Sequence, residues 1–200
     1  MLYDYYGFPP ESYEIKYPAP GEPSLAQEMV AALKSNGLAA ELDGSRPFDH
    51  GVFVPLMIMF PEAKIPVLPI SVLRGGDPAE HIRMGEALRP FRSRGVFFLG
   101  SGSTMHHFSH FNKKDAGKRF GDALSEVLCA SDKAMPPEKR MAAVKRVTAM
   151  AGFDEAQPRG ALEHLMPLFT LFGTANGTQA KEVANVPFFE ANVRHHLFPN

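Results

Sequence analysis

The sequence predicts an α/β protein, a mostly parallel central sheet flanked by helices, and three observations predict it. Apolar runs of strand type, at residues 65–72 and 95–100, alternate with segments that carry helix caps and helical periodicity. The 44% apolar content of this 200-residue chain is enough for a sizeable core. A small-residue loop, Gly100-Ser101-Gly102-Ser103, leaves the second run where α/β sheets place their ligands. Only about three strands can be found against the ~5 to 6 of an average sheet, so the sheet is expected to be small or incomplete. The length predicts one domain over residues 1–200.

Each element has a local reason. Residues 2–23 are rich in Tyr, Pro and Gly and read as an ordered aromatic wrap rather than a regular element. Ser24 with Gln27 is a capping-box signature, and the helix it opens runs through Met29, Val30 and Leu33 to a stop at Asn36-Gly37. After Asp49 the apolar segment 52–60 is closed by Pro61. Residues 65–72 alternate β-branched residues with proline and suggest a strand. Asp77-Pro78 caps a helix that reaches Arg92. Residues 95–100 form a continuous apolar run of buried-strand type. The remainder reads as helical over 113–130, 136–151 and 160–172.

Composition excludes several function classes. With 21 basic and 22 acidic residues the net charge is -1, which removes the electrostatic drive for nucleic acid or a polybasic membrane contact. The longest apolar run falls far short of the ~20 residues of a membrane span. Cys129 is the single cysteine and can form neither an internal disulfide nor a thiolate metal cage. With no basic, apolar leader at its start, the chain is expected in the cytoplasm.

Three of eight histidines lie where this fold places chemistry. His50 stands between Asp49 and Gly51 at an expected helix start, either in a capping turn or with its imidazole projecting from the helix N-terminus. His106 follows the Gly-Ser loop. That loop lacks the lysine of a phosphate-binding loop, but His106, His107 and His110 together would suit a metal or acid–base site, or an exposed polar loop. His164 sits among apolar residues in Glu163-His164-Leu165-Met166-Pro167-Leu168. On a helix, neighbours point in different directions, so nothing in the sequence makes Glu163 and His164 share one metal.

Four stretches in series resemble the class III extradiol ring-cleavage dioxygenases, in the branch similar to DOPA 4,5-dioxygenases. They are Tyr3-Asp4-Tyr5-Tyr6-Gly7-Phe8-Pro9-Pro10 with Tyr13-Glu14-Ile15-Lys16-Tyr17-Pro18-Ala19-Pro20-Gly21, then Asp49-His50-Gly51-Val52-Phe53-Val54-Pro55-Leu56, then Gly100-Ser101-Gly102-Ser103 with His106, and finally Glu163-His164-Leu165-Met166-Pro167-Leu168. The resemblance implies that His106 is the acid–base histidine, sometimes seen next to the metal, and that His164 is a metal ligand. It also implies that His50 lines the pocket, where it hydrogen-bonds a substrate hydroxyl or oxygen. The implied cofactor is Fe(II) or Zn(II), and the implied reactants are a small aromatic diol, such as DOPA or a related catechol, and O2. No nucleic acid or membrane partner is implied.

Members of that family carry a further N-terminal segment with two more metal histidines, whereas no histidine precedes His50 here. Phe53 also stands where the family often has Trp. The chain is therefore expected to form an incomplete version of the family fold, its C-terminal three quarters. A homo-oligomer or a complementing N-terminal polypeptide would complete it. The alternative expectation is a catalytically inactive or split-subunit protein that binds metal or an aromatic ligand.

Overall fold

A computed structural model describes residues 1–199, which divide into two compact units, one over residues 1–71 and one from residue 72 onward. In the first unit, helix α1 (Pro23–Ser35) buries Met29 and Leu33. The capping box at Ser24 is not made: Pro23 takes the first helical turn and Glu22 becomes the N-cap, without a side-chain bond. The stop is as expected, because Gly37 turns left-handed at φ 72° and the Leu38 N–H returns to the Leu33 carbonyl at 3.0 Å. Helix α2 (His50–Met59) starts where Asp49 accepts the Val52 N–H at 3.2 Å. The aromatic wrap is ordered by its hydroxyls. Tyr3, Tyr5 and Tyr17 donate to the carbonyls of Ile15, Ser12 and Phe60, while Tyr3 stands edge-on to buried Phe53.

The second unit holds α3 (Pro78–Leu88), α4 (Lys118–Cys129), α5 (Pro137–Val144), α6 (Phe153–Ala156), α7 (Met166–Thr174) and a hairpin of β1 (Lys181–Phe188) with β2 (Ala191–Leu197). Asp77 caps α3 by accepting the Ala79 N–H at 2.9 Å, as its sequence predicts. Ile82, Phe120, Leu124, Leu128, Phe153, Met166, Phe169 and Phe172 make one buried core. Helices α3 and α7 cross at two glycines: a Cβ at Gly85 would meet the Thr170 carbonyl, and one at Gly173 the Ile82 carbonyl. Arg140, fully buried on α5, ties the chain around it through the carbonyls of Val127, Ala130, Met135 and Gly177.

The α/β class stands, but its sheet differs from the expected one. The described residues form one sheet of two antiparallel strands, with Lys181 opposite Leu197 and Phe188 opposite Ala191. Residues 66–72 and 96–100 form neither helix nor strand and have no ladder partners. In the former, Pro66 and Pro69 remove two ladder donors. The latter keeps a strand's alternation, Val96 and Phe98 half-buried and Phe97 and Leu99 exposed, so it is not the buried strand its composition suggests. The hairpin went unread because its two-residue turn is Phe189-Glu190, with Phe189 at φ 55°, instead of the Asn-Gly or Asp-Gly that announces such turns.

Candidate active site

The site in the second unit is built where loop 100–107 meets the turn that leads into α7. Close approach explains the glycines. A Cβ at Gly102 would fall on the His164 carbonyl, and one at Gly100 would lie 2.8 Å from Leu171 Cδ1. The Ser103 N–H donates to that same His164 carbonyl at 2.7 Å. Ser103 Oγ bonds the Met105 carbonyl at 2.6 Å, and the His106 N–H donates to the Ala156 carbonyl at 2.8 Å. Loop and turn are thus held together by main-chain bonds, and two histidines far apart in sequence become neighbours.

The rings of His106 and His164 stack with centroids 3.4 Å apart and planes 16° apart, and Phe108 tilts against His106 at 4.6 Å. Burial first, and then the His164 ring, pushes His106 down to about 4. At neutral pH it is therefore uncharged, the form that accepts a proton or binds a metal. Its Nδ1 is buried without a hydrogen-bond partner, a costly state for a polar atom. Glu163 Oε1 lies 4.0 Å from His164 Nε2, and one donor atom each from His106, Glu163 and His164 fall within 4.8 Å of one another. Imidazole nitrogens and a carboxylate suit Fe(II) or Zn(II), so these residues fit the implied metal. A cavity of about 570 Å³ opens at His164, lined also by Phe98, Gly102, Ser103, Leu168 and His196 among others, a volume suited to a small aromatic molecule.

The structure brings His106 and His164 together, while His50 belongs to the first unit. There Asp49 caps the helix and the His50 imidazole turns to Asp4, with Nδ1 2.7 Å from Oδ1. Burial raises the Asp4 carboxyl, but its bonds from the His50 ring and N–H outweigh this and hold it below the ordinary carboxylate range. Other histidines have structural partners. Buried His81 joins the Asp77 carbonyl and the Leu73 N–H, and His107 stacks on His110.

Helical geometry does not separate Glu163 from His164, contrary to the sequence expectation. Both lie in a turn, because α7 begins only at Met166. Pro167 was the legible signal, since proline belongs in a helix's first turn and so marks residues 163–164 as preceding it. Sequence reasoning also missed a polar cluster on α4 and the hairpin, where Ser125 donates to Glu182 at 2.5 Å and meets His196 Nε2 at 2.9 Å.

Residues 1–195 match the family of the catalytic LigB subunit of aromatic ring-opening dioxygenase. The chain is 37% identical over 186 residues to the dioxygenase tasH of Hapsidospora irregularis, covering 88% of this chain and 57% of that protein. It is 44% identical over 106 residues to the 4,5-DOPA dioxygenase extradiol of Beta vulgaris, covering 52% of this chain and 40% of that one. The chain thus spans little more than half the length of these relatives at most. In fold it resembles the crystal structure of an uncharacterized protein of Escherichia coli K12, with a TM-score of 0.72 and 24% identity over 91% of this chain and 75% of that one. The chain belongs to the LigB family.

Proposed function

We propose that this member of the LigB family carries the metal-binding and acid–base part of an extradiol dioxygenase that opens a catechol, DOPA or a related aromatic diol, with O2 in the cytoplasm. The observation that carries the reading is the stacked pair of His106 and His164, with a carboxylate nearby and a cavity lined by His164. His164 would hold Fe(II) or Zn(II), and His106 beside it would keep its lone pair free for a proton. Bound Fe(II) would supply a path for electrons from the diol to O2, which zinc, having no redox chemistry, would not.

The chain's own residues supply the rest. His106, neutral at pH 7, takes the proton of a catechol hydroxyl and returns it to the opened product. Phe108 limits the rotation of its ring. The Ser103 N–H holds the His164 carbonyl, which Gly102 leaves room for, and so keeps the two imidazoles together. In the first unit, His50 keeps its Nδ1 tied to Asp4.

A second reading concerns assembly. The backbone of residues 97–101 makes no hydrogen bond among the described residues, and Phe97 is 66% exposed. An extended edge of this kind favours a complementing polypeptide or a second copy of the chain, and without it a protein that binds metal or an aromatic ligand but does not turn over.

The test is direct. Iron-loaded protein is mixed anaerobically with catechols and then exposed to oxygen. A yellow ring-opened product with matching oxygen uptake is expected, and His106→Gln should cut turnover ~10² to 10⁴-fold with catechol binding kept. Binding with no product and no oxygen uptake would refute catalysis by the chain alone and support the second reading.

A further inference from the structure

We propose that Thr104 is a positioning residue for His106: its hydroxyl, bonded to the edge of β2 that faces away from β1, holds the loop so that the His106 ring stays over His164. The inference rests on the reading of His106 as the group that moves the proton, and it adds a residue that acts only through that ring. Residues 103–106 are gripped one after another. The Ser103 N–H reaches the His164 carbonyl at 2.7 Å, and the His106 N–H reaches the Ala156 carbonyl at 2.8 Å. Met105, 1% exposed, is sunk in the core. Between them Thr104 Oγ1 accepts the main-chain N–H of Arg194 at 2.9 Å. That bond ties the loop to the hairpin through a side chain, two residues from the ring it steadies.

The other end of the bond is fixed. In β2 Arg194 stands opposite Asn185, and its main-chain N–H points off the ladder, a strand-edge donor that needs a partner once it is covered. Its guanidinium, on a side chain only 10% exposed, pairs with Glu182 Oε2 at 2.8 Å and with Asp122 on α4. Gly121 makes room for it, since a Cβ there would lie 2.7 Å from Arg194 Nε. Ser125 donates to the same Glu182 oxygen at 2.5 Å. Arg194 is thus anchored to α4 and β1 by its side chain, and its backbone is a firm point for the loop. Thr104 is 6% exposed, so water does not readily replace its oxygen as the acceptor. The main-chain bonds of Ser103 and His106 survive any change of side chain at 104, whereas this one depends on a hydroxyl. Valine keeps the branched shape and removes the acceptor; serine keeps the acceptor and removes a methyl. Thr104 also lines the cavity at His164, so direct contact with a ligand is the competing account.

Amide hydrogen exchange and nuclear Overhauser effects between the two imidazole rings, measured on the full chain as native, Thr104→Val and Thr104→Ser, test the role. The native chain is expected to protect the Arg194 N–H and to show Overhauser effects between His106 and His164. Thr104→Val should speed exchange at Ser103, His106 and Arg194 by at least ~10-fold, leave Phe169 and Phe172 in the core unchanged, and weaken the ring-to-ring effect. Thr104→Ser should restore most of both. In the iron-loaded turnover assay, Thr104→Val should lower kcat by ~10-fold or more with catechol affinity kept. A rapidly exchanging Arg194 N–H in the native chain, or a Thr104→Val chain that keeps loop protection and ring contact, would overturn the role. So would equal acceleration in loop and core, the mark of a residue that only stabilises the unit, or lost catechol affinity with the loop still protected, the mark of direct ligand contact. A native chain without turnover, whose loop is released by valine and restored by serine, would leave the hold on His106 standing and remove the acid–base reading from the chain alone.

Discussion

Replacing Arg140 should destabilise the second unit more than any loss of charge would suggest. The side chain is 0% exposed, and each of its five N–H donors has an acceptor to meet. Nε donates to Val127 at 3.2 Å. Nη1 donates to Gly177 at 2.7 Å and lies 3.0 Å from Asp132 Oδ1, and Nη2 donates to Ala130 at 2.5 Å and Met135 at 2.9 Å. Four of the five acceptors are main-chain carbonyls, from the end of α4, the loop after it and the turn after α7. Arg140→Met keeps the stem's volume but strands those carbonyls, each worth ~1 to 3 kcal/mol when buried unpaired. Because the losses are not additive and water can enter, about 3 to 5 kcal/mol is expected overall. Arg140→Lys, with three donors and no planar fork, should recover only part of this. Asp132→Asn should cost less than ~1 kcal/mol, since that carboxylate is 56% exposed and its charge is screened. Urea unfolding followed by circular dichroism measures all three. A loss below ~1 kcal/mol for Arg140→Met, or a larger loss for Asp132→Asn, would refute the view that the carbonyl cage holds this region.

Three further outcomes follow from close contacts and burial. Gly102→Ala should push a methyl into the His164 carbonyl, break its bond from Ser103 and lower metal affinity by ~10-fold or more; unchanged retention in chelator competition would contradict the positioning argument. Gly173→Ala should cost ~1 to 3 kcal/mol where α7 meets α3, although alanine favours an isolated helix by about 1 kcal/mol; a stabilised variant in thermal melts would show that the helices can part freely. His196 is held down to about 4, by burial first and by Arg194 and His195, against the pull of Glu182, with neutral Ser125 on its Nε2. Its unfolded form protonates near 6.5 and the folded form only near 4, so this contribution is absent above about pH 7 and grows as a penalty while pH falls between those values. From pH 7.5 to 5 it amounts to about 2 kcal/mol. His196→Gln should shrink the loss of stability over that range by a similar amount, and an unchanged difference in urea midpoints would count against it.

What could be read from the chain follows how local the determining interaction is. Asp77-Pro78, Asp49 and Gly37 act within a turn of their own position, and the helix ends they set are those observed. Ser24 failed by the same measure, since its neighbour Pro23 captured the first turn. Strands depend on partners elsewhere in the chain, so the apolar run at 95–100 could announce its extended form but not its unpaired edge. The hairpin escaped because Phe189, which is left-handed at φ 55°, is not a residue that announces such a turn.

The site divides in the same way. His106 and His164 could be named from the sequence only through resemblance, since nothing local in either segment refers to the other. Their meeting depends on Gly102, whose missing side chain lets two backbones approach, and on one main-chain bond from Ser103. Glu163 was misread for a physical reason: the apolar pattern of residues 160–172 is helical in period, yet Pro167 delays the helix until Met166 and frees the two residues that matter. The short run that looks least like chemistry, Gly-Ser-Gly-Ser, is therefore what makes the chemistry possible. It contributes no donor to a metal, but without its close approach His106 and His164 would belong to separate surfaces.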